Sequence, residues 1–344
     1  MKKISKNILN GKTVLVTGGT GSFGKKFIRM TLEKFSPRKL IVLSRDEMKQ
    51  WEMEHEFRLY DKKNILRYFI GDVRDRGRLN LAFQEVDYVV HAAATKIVPT
   101  AEYNPFEAIK TNIFGAMNVI EASISQKVKK IIALSTDKAC NPINLYGATK
   151  LCSDKVFVAA NAYSGAHDIR FAVVRYGNVM GSRGSMIPFF IEEAKKGELP
   201  VTDKRMTRFM ITLEQAVELV WHALEDCIGG EIYVPKIPSM NIMDVAAAID
   251  PSAKIRFIGI RPGEKLHELM IGQDDARSTF EYGGYYKILP MIYDWNSCPY
   301  RIAKGKKCPE GFSYTSDNNR EWMTRQELRS WVRRERSGGL DGKK

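Results

Sequence analysis

The strongest constraint on the fold of this 344-residue chain is a regular alternation of short apolar runs with longer helical segments. The runs are rich in the β-branched and aromatic residues that favour strands. They cover residues 13–17, 39–43, 67–70, 87–91, 130–135 and 171–176. Strands separated by helices pair in parallel, because each helix carries the chain back across one face of the sheet. The pattern therefore predicts an α/β fold with a doubly wound parallel sheet.

A glycine-rich loop follows the first predicted strand and opens the first predicted helix. Residues 17–24 read TGGTGSFG, in which Gly18, Gly21 and Gly24 have the spacing of nucleotide-binding loops. Glycine permits the tight turn and lets backbone amides approach a pyrophosphate, which the helix N-terminus also attracts. The position between a strand and a helix is the context that this motif requires. We therefore predict that the sheet is of the Rossmann type and binds a dinucleotide.

The end of the second strand indicates which dinucleotide binds. NAD-binding proteins place an acidic residue there, but this chain has Ser44 followed by Arg45. A neutral residue beside an arginine suits the 2′-phosphate of NADP, so NADP is favoured and NAD is the alternative. After the third strand, Asp72 can hold the adenine amine. The predicted cofactor-binding residues are Gly18, Thr20, Gly21, Ser22, Phe23, Gly24, Ser44, Arg45, Asp46, Lys49, Asp72, Val73, Ala92, Lys96, Tyr146 and Lys150.

The alternating pattern weakens after Asn178, where glycine and proline become frequent. We predict an NADP-binding Rossmann domain over residues 10–178. Residues 179–336 are predicted to form a smaller C-terminal substrate-binding lobe, from which a strand or helix can return to the sheet. Residues 337–344 are predicted to be a flexible tail.

Composition and charge exclude several classes of protein. The net charge is +14, but more than half of this excess lies in residues 1–12 and 320–344, which argues against nucleic-acid binding as the main function. No apolar run approaches the roughly 18 residues of a membrane span. Five widely spaced cysteines without a CxxC pair, and five histidines without ligand spacing, indicate reduced thiols and no metal site. We expect a cytoplasmic protein without a membrane or nucleic-acid partner.

A Tyr-x-x-x-Lys pair begins the helix after the fifth strand. Tyr146 and Lys150 are four positions apart, so both side chains lie on one face of the helix. An ammonium group beside a phenol lowers the phenol's pKa, so we expect Lys150 to help Tyr146 act as a base. Thr136 ends the fifth strand, where its hydroxyl can reach a substrate alcohol. With the glycine loop, this arrangement resembles the extended short-chain dehydrogenases/reductases.

Asp137 and Lys138 follow Thr136 directly. A nucleotide-sugar 4-epimerase needs no such pair, because hydride leaves and returns at one carbon. A 4,6-dehydratase needs a base for the C5 proton and an acid for the departing C6 hydroxyl. For these roles we expect the pKa of Lys138 to be lowered, with Lys150 as a candidate cause, and the pKa of Asp137 to be raised. The dehydratase is favoured over the epimerase and over a non-enzymatic NADP sensor, which has no need of the Tyr-x-x-x-Lys pair.

Residues 135–139 (STDKA) and 141–150 (NPINLYGATK) resemble the inverting UDP-N-acetylglucosamine 4,6-dehydratases that begin pseudaminic acid biosynthesis. The similarity continues through AEYNP at 101–105, RYGNV at 175–179, MTRF at 206–209 and RPGEK at 261–265. Retaining dehydratases of the same superfamily are similar but carry Asp-Glu where this chain has Asp-Lys. The resemblance covers about residues 10–272 and, weakly, the region of Tyr314.

This resemblance implies a role for each matching residue. Lys138 would remove the C5 proton, Asp137 would protonate the departing hydroxyl, and Tyr146, supported by Lys150, would deprotonate the C4 hydroxyl. The resemblance implies NADP as cofactor and UDP-2-acetamido-2,6-dideoxy-β-L-arabino-hexos-4-ulose as product. It also implies a homo-oligomer, for which a hexamer is one option. The substrate-binding residues so predicted are Lys96, Asn178, Val179, Arg205, Arg261 and Tyr314.

Overall fold

A computed structural model describes residues 4–5, 7–165, 167–291 and 299–335. The predicted tail, residues 337–344, lies outside them. The strands of the described residues are β1 (Thr13–Thr17), β2 (Lys39–Ser44), β3 (Leu66–Ile70), β4 (Tyr88–His91), β5 (Lys130–Thr136), β6 (Arg170–Tyr176), β7 (Asn178–Val179), β8 (Glu198–Val201), β9 (Thr207–Ile211), β10 (Ile232–Pro235), β11 (Ser239–Asn241), β12 (Lys254–Phe257), β13 (Leu269–Ile271), β14 (Thr279–Glu281), β15 (Tyr285–Ile288), β16 (Lys306–Lys307) and β17 (Tyr314–Thr315).

The helices alternate with the strands through the first half of the chain. They are α1 (Ser22–Lys34), α2 (Glu47–Phe57), α3 (Arg76–Ala82), α4 (Val98–Tyr103), α5 (Pro105–Ile109), α6 (Gly115–Ser125), α7 (Leu145–Ala159), α8 (Met186–Ala194), α9 (Leu213–Asp226), α10 (Ile242–Ile249), α11 (Pro299–Ile302) and α12 (Arg325–Glu335). A π-helical turn (Lys110–Phe114) joins α5 to α6, and short 3₁₀ turns lie at Asp137–Ala139, Ala160–Ala162 and Gln273–Ser278. Within the described ranges, no helix is long and apolar enough to cross a membrane.

The main sheet confirms the predicted doubly wound fold. Its parallel strands lie in the order β3-β2-β1-β4-β5-β6-β10, which begins with the strand order of the Rossmann fold. The central strands are apolar along their length and fully buried, as β1 shows, because helices cover both faces. The strand order reverses between β1 and β4, so a crevice opens there at the carboxyl ends of the strands.

Strands from beyond Asn178 extend this sheet. Strand β10 adds in parallel beside β6, and β15, β14 and β16 then continue the sheet in antiparallel pairs. Helix α9 also packs against the same core through residues such as Trp221, which is buried between α1 and the sheet. The sheet therefore crosses the predicted boundary at residue 178.

A second, smaller apolar core lies beside the sheet. It is formed by α8, α10 and α12 together with β8, β9 and β11, and includes Ile187, Leu199, Met240, Val245 and Leu328. The short sheets β11-β9-β7 and β12-β8 belong to this part of the molecule. Since β7 follows directly after β6, this smaller core is connected to the carboxyl end of the main sheet, and the loop after β7 lines one side of the crevice.

Candidate active site

A cleft of about 840 Å³ opens at the carboxyl ends of the parallel strands. It is lined by every residue that the sequence assigns to catalysis or to the cofactor. Of the predicted substrate-binding residues, Lys96, Asn178, Val179 and Arg261 line it as well. The tertiary structure thus gathers residues from position 18 to position 261 into one site.

The glycine loop has the backbone geometry of a phosphate cradle. Gly18 has a φ of +65°, and a Cβ there would lie 2.9 Å from the Cα of Ala93, so only glycine fits. A Cβ on Gly24 would lie 2.3 Å from the carbonyl oxygen of Gly19, which explains the close approach of α1 to the loop. The N-cap of α1, Gly21, provides no side-chain hydrogen bond, so the free amides of the first turn face the cleft. These features fit a dinucleotide pyrophosphate.

The residue directly after β2, Arg45, places a positive charge at the edge of the cleft. Ser44 is buried and its hydroxyl accepts a hydrogen bond from Gln50 at 3.0 Å. The Arg45 side chain is exposed, with Nη1 3.6 Å from Oδ2 of Asp72, which also accepts a 2.9 Å hydrogen bond from Arg74. Burial would raise the pKa of Asp72, but Arg74 and Arg45 hold it below its usual value. Arg74 also pairs with Glu107, so the exposed guanidinium group of Arg45 is the charge that is placed to meet an anionic group.

A loop after β7 crosses the cleft from one wall to the other. The backbone N–H of Arg183 donates to the hydroxyl of Ser22 at 3.2 Å, and Nζ of Lys96 donates to the carbonyl of Arg183 at 2.9 Å. Positive φ values at Gly181 and Gly184 make this path possible. Burial lowers the pKa of Lys96. The loop therefore ties the start of α1 to the opposite wall.

The Asp-Lys pair lies in a 3₁₀ turn (Asp137–Ala139) at the end of β5. The hydroxyl of Thr136 caps this turn by accepting from the backbone N–H of Lys138 at 3.3 Å, and it donates to Oδ1 of Asp137 at 3.0 Å. Nζ of Lys138 lies 3.1 Å from the same Oδ1. Asp137 is buried, whereas the Lys138 side chain is 25% exposed and reaches the cleft.

Helix α7 packs tightly on this turn. A Cβ on Gly147 would lie 2.2 Å from the carbonyl oxygen of Lys138, so glycine is required for the contact. Asn144 caps the helix through the N–H of Gly147 at 2.7 Å, and its side-chain amide donates to the carbonyl of Gly263 at 2.8 Å. This packing holds Tyr146 beside the Asp-Lys pair and anchors the loop that carries Arg261.

The ionisation of Tyr146 corrects one expectation. Burial raises the pKa of Tyr146 to about 12, while the charge of Lys138 and a hydrogen bond with Thr136 act in the opposite direction. The cation that chiefly favours the phenolate is therefore Lys138 and not, as expected, Lys150. Lys150 is buried on the same face of α7, and burial lowers its pKa although Asp154 opposes this.

The environment of Lys138 corrects a second expectation. Nζ of Lys138 lies 3.0 Å from Oε1 of Glu268, a buried carboxylate that sequence reasoning missed. Burial alone would lower the pKa of Lys138, but Asp137 and Glu268 raise it above its ordinary value. Burial and the charge of Glu268 raise the pKa of Asp137, as expected. The amine is thus an ammonium group between two carboxylates.

A buried ion pair between Asp154 and Arg175 lies next to the end of β5. Oδ2 of Asp154 accepts from the hydroxyl of Ser135 at 2.7 Å and from Nη2 of Arg175 at 3.2 Å. Arg175 also donates to the carbonyl of Met270 at 3.0 Å. Sequence reasoning gave Asp154 no role, because nothing in its local pattern distinguishes it from an exposed helical acid.

Two predicted substrate contacts lie elsewhere. Arg205 is exposed and forms an ion pair with Asp203, outside the cleft. Tyr314 is buried, and its hydroxyl accepts from the N–H of Ile237 and donates to the carbonyl of that residue, each at 3.0 Å. Arg261 does line the cleft, where Nε lies 3.3 Å from Oε1 of Glu264. The structure thus brings four of the six predicted substrate-binding residues to the cleft and places Arg205 and Tyr314 outside it.

Comparisons with known proteins agree with this geometry. The profile of a family described as polysaccharide biosynthesis protein matches residues 14–290. An inverting UDP-N-acetylglucosamine 4,6-dehydratase of Campylobacter jejuni is 56% identical, over 93% of this chain and 97% of the relative. A UDP-glucose 4-epimerase of Rickettsia akari is 42% identical, over 90% of this chain and 92% of the relative. The X-ray structure of Pen from Bacillus thuringiensis is 38% identical with a TM-score of 0.85, covering 95% of this chain and 99% of that one.

Proposed function

This chain belongs to the polysaccharide biosynthesis protein family of extended, nicotinamide-dependent short-chain dehydrogenases/reductases, and we propose that it is an NADP-dependent, C5-inverting UDP-N-acetylglucosamine 4,6-dehydratase. Its product is UDP-2-acetamido-2,6-dideoxy-β-L-arabino-hexos-4-ulose, and its place is the first step of pseudaminic acid biosynthesis. The 56% identity to the Campylobacter jejuni enzyme supports this substrate and stereochemistry. The homo-oligomeric state and the cytoplasmic location stay predictions.

One observation carries the proposal: an acid and an amine contact each other beside a half-buried tyrosine. Nζ of Lys138 lies 3.1 Å from Asp137, and the charge of Lys138 acts on Tyr146. Oxidation and reduction at C4 need only the tyrosine, whereas elimination across C5 and C6 needs a base and an acid together. The pair therefore favours a dehydratase over an epimerase.

The first step is oxidation of the sugar at C4. Tyr146 removes the proton of the C4 hydroxyl, and the charge of Lys138 stabilises the phenolate it needs for this. The glycine loop would hold the pyrophosphate of a nicotinamide dinucleotide, which would supply the hydride acceptor for C4 and the hydride donor for C6. The buried amino group of Lys150 lies on the same helical face as Tyr146, where it can bond the nicotinamide ribose.

The second step is loss of water, for which the Asp-Lys pair needs one internal proton transfer. A proton moving from Lys138 to Asp137 converts the ammonium to an amine and the carboxylate to an acid. The raised pKa of Asp137 favours this transfer, and the raised pKa of Lys138 opposes it. The amine then takes the C5 proton, Asp137 gives its proton to the C6 hydroxyl, and water leaves as the C5–C6 double bond forms. A proton delivered to C5 from the opposite face completes the inversion.

The remaining cleft residues are assigned to the nucleotide and the sugar. Arg261 is the proposed donor to the UDP pyrophosphate, since a guanidinium group can bond two phosphate oxygens at once. Lys96, Asn178 and Val179 line the same cleft as Arg261 and the catalytic turn, and we assign them to the sugar.

Incubation with UDP-N-acetylglucosamine in deuterated water tests the function. We expect a 4-keto-6-deoxy sugar that carries solvent deuterium at C5, because the C5 proton leaves with Lys138 and is replaced from solvent. The hydrogen that began at C4 should appear at C6. Proton NMR reads both positions. A 4-epimerase, which the Rickettsia akari relative keeps open as the second candidate, would give a C4 epimer without deuterium and without loss of water.

Replacing Arg45 by alanine should weaken NADP binding far more than NAD binding. Only NADP would lose a charge-assisted hydrogen bond, worth about 1.5–3 kcal/mol or roughly 10- to 150-fold in Kd. Fluorescence or calorimetric titration with each cofactor measures this difference. Arg58→Ala, which removes an exposed arginine at the end of α2, is the control. Equal losses of affinity for both cofactors would show that Arg45 does not bind the 2′-phosphate.

A further inference from the structure

Glu268 is a buried carboxylate that the proposed steps leave without a role. It lies directly before β13, its side chain is 3% exposed, and Oε1 lies 3.0 Å from Nζ of Lys138. Its second oxygen, Oε2, and Oδ2 of Asp137 are both buried without a hydrogen-bond partner among the described residues. A buried carboxylate oxygen without a partner is costly, and such groups concentrate at functional sites.

The backbone around Glu268 is held rigidly. Its N–H donates to the hydroxyl of Ser316, and its carbonyl accepts from the N–H of the same residue, each at 2.8 Å. Nε of Arg208, in β9, lies 3.7 Å from Oε1 of Glu268. The backbone of Glu268 is therefore held by the segment of Ser316, and its carboxylate lies between Arg208 and Lys138.

We infer that Glu268 is a positioning residue for the elimination: its carboxylate fixes the amino group of Lys138 against Asp137 and stabilises the ammonium that forms when Lys138 takes the C5 proton. This inference rests on the proposed function, because it assigns a role within the dehydration. The proton is gained and lost by Lys138 alone, and Glu268 keeps its charge throughout.

The charges around Lys138 indicate why Asp137 exchanges a proton with it while Glu268 stays ionised. The ionisable groups that face it are Asp137, Tyr146, Arg208, Lys265 and Glu268. Burial would raise the pKa of Glu268, but Lys138 and Arg208, with Lys265, hold it below its ordinary value. The pKa of Asp137 is raised instead. Of the two carboxylates that contact the amine, Asp137 is therefore the one that can accept its proton.

The variant Glu268→Gln tests the inference, because glutamine keeps an acceptor oxygen and removes the charge. Removing a negative charge at this distance should lower the pKa of Lys138 by about 1–3 units. The rate of C5 exchange with deuterated solvent rises with pH as Lys138 becomes neutral, so this rise should move to lower pH by the same amount. The limiting rate at high pH should fall about tenfold, because a weaker base removes the proton more slowly.

Two further variants distinguish a positioning role of Glu268 from a general loss of stability. Glu268→Asp keeps the charge but shortens the side chain by one methylene group. We therefore expect a pH profile close to that of the wild type with a lower limiting rate. Glu231→Gln removes a fully buried carboxylate that bonds the backbone N–H groups of Ile228 and Gly229, and should leave the profile unchanged. An unshifted profile in Glu268→Gln would overturn the inference, as would an equal shift in Glu231→Gln.

A direct titration keeps the inference separate from the proposed function. Nitrogen NMR of labelled lysine side chains, with Lys138→Arg used to assign the signal, should show a lower pKa for Lys138 in Glu268→Gln than in the wild type. If the wild type makes no 4-keto-6-deoxy sugar, the proposed function fails, and this titration still reports whether Glu268 sets the protonation of Lys138. An identical titration in both proteins would overturn the inference even in an active dehydratase.

Discussion

Replacing Lys138 by alanine is expected to abolish the elimination of water. The variant should bind the cofactor but form at most a trace of NADPH, because the cation beside Tyr146 is gone, and it should lose exchange of the C5 proton and formation of the 6-deoxy product. General base catalysis of this kind contributes about 10²–10⁴-fold, so the rate of elimination should fall by that factor. NMR in deuterated water measures the exchange, and absorbance of the reduced nicotinamide measures the oxidation.

A second substitution separates the charge of Lys138 from its basicity. Lys138→Arg keeps a cation between Asp137 and Glu268, but a guanidinium group does not lose its proton in a protein. It should therefore lose elimination as completely as alanine does. Lys155→Ala, on the exposed face of α7, is the control for loss of a lysine. Formation of the 6-deoxy sugar at the normal rate in either Lys138 variant would remove this residue from the mechanism.

Replacing Tyr146 by phenylalanine is expected to abolish every step, including the oxidation at C4. The ring keeps its place against the 3₁₀ turn, so the fold should be retained, but the oxygen that accepts the C4 proton is gone. The expected loss is again about 10²–10⁴-fold in kcat. Because the C5 proton is acidic only beside a C4 ketone, C5 exchange must be lost together with NADPH formation.

The two variants therefore differ in which signals they lose. Tyr146→Phe should lose both NADPH formation and C5 exchange, whereas Lys138→Arg, which keeps a cation beside Tyr146, should lose only the exchange and the elimination that depends on it. Tyr163→Phe, at an exposed tyrosine near the end of α7, is the matched control. Persistent C5 exchange in Tyr146→Phe would show that another group oxidises C4 or that exchange needs no ketone.

Features that depend on neighbouring positions could be predicted from the sequence. The strands of the Rossmann sheet follow from apolar runs that each occupy a few residues. The glycine loop and the Tyr146–Lys150 pair are likewise local, because a turn and a helical face each span only a few positions. Gly147 lies inside the same motif, but only the structure shows why glycine is needed there, because a side chain would clash with the carbonyl oxygen of Lys138.

The C-terminal half shows where local patterns stop being informative. Residues 279–288 have no strong period, yet they form β14 and β15 and extend the sheet in antiparallel pairs. Tyr314 resembled a substrate contact, but packing against Tyr286 and the backbone of Ile237 places it in the core. A short aromatic segment has no sequence signal that separates a binding surface from a buried one.

The chemistry proposed for this protein can be predicted from contiguous motifs: the dinucleotide loop, the Tyr146–Lys150 pair and the acid and amine at positions 137 and 138. How those groups ionise depends on contacts that form only when the chain folds. Glu268, directly before β13, packs against the amine from far along the chain, and with Asp137 it raises the pKa of Lys138 where the motif alone called for a lower one. The physical reason is that a buried charge takes its pKa from whatever the fold packs against it, and that packing has no trace in the spacing of a motif.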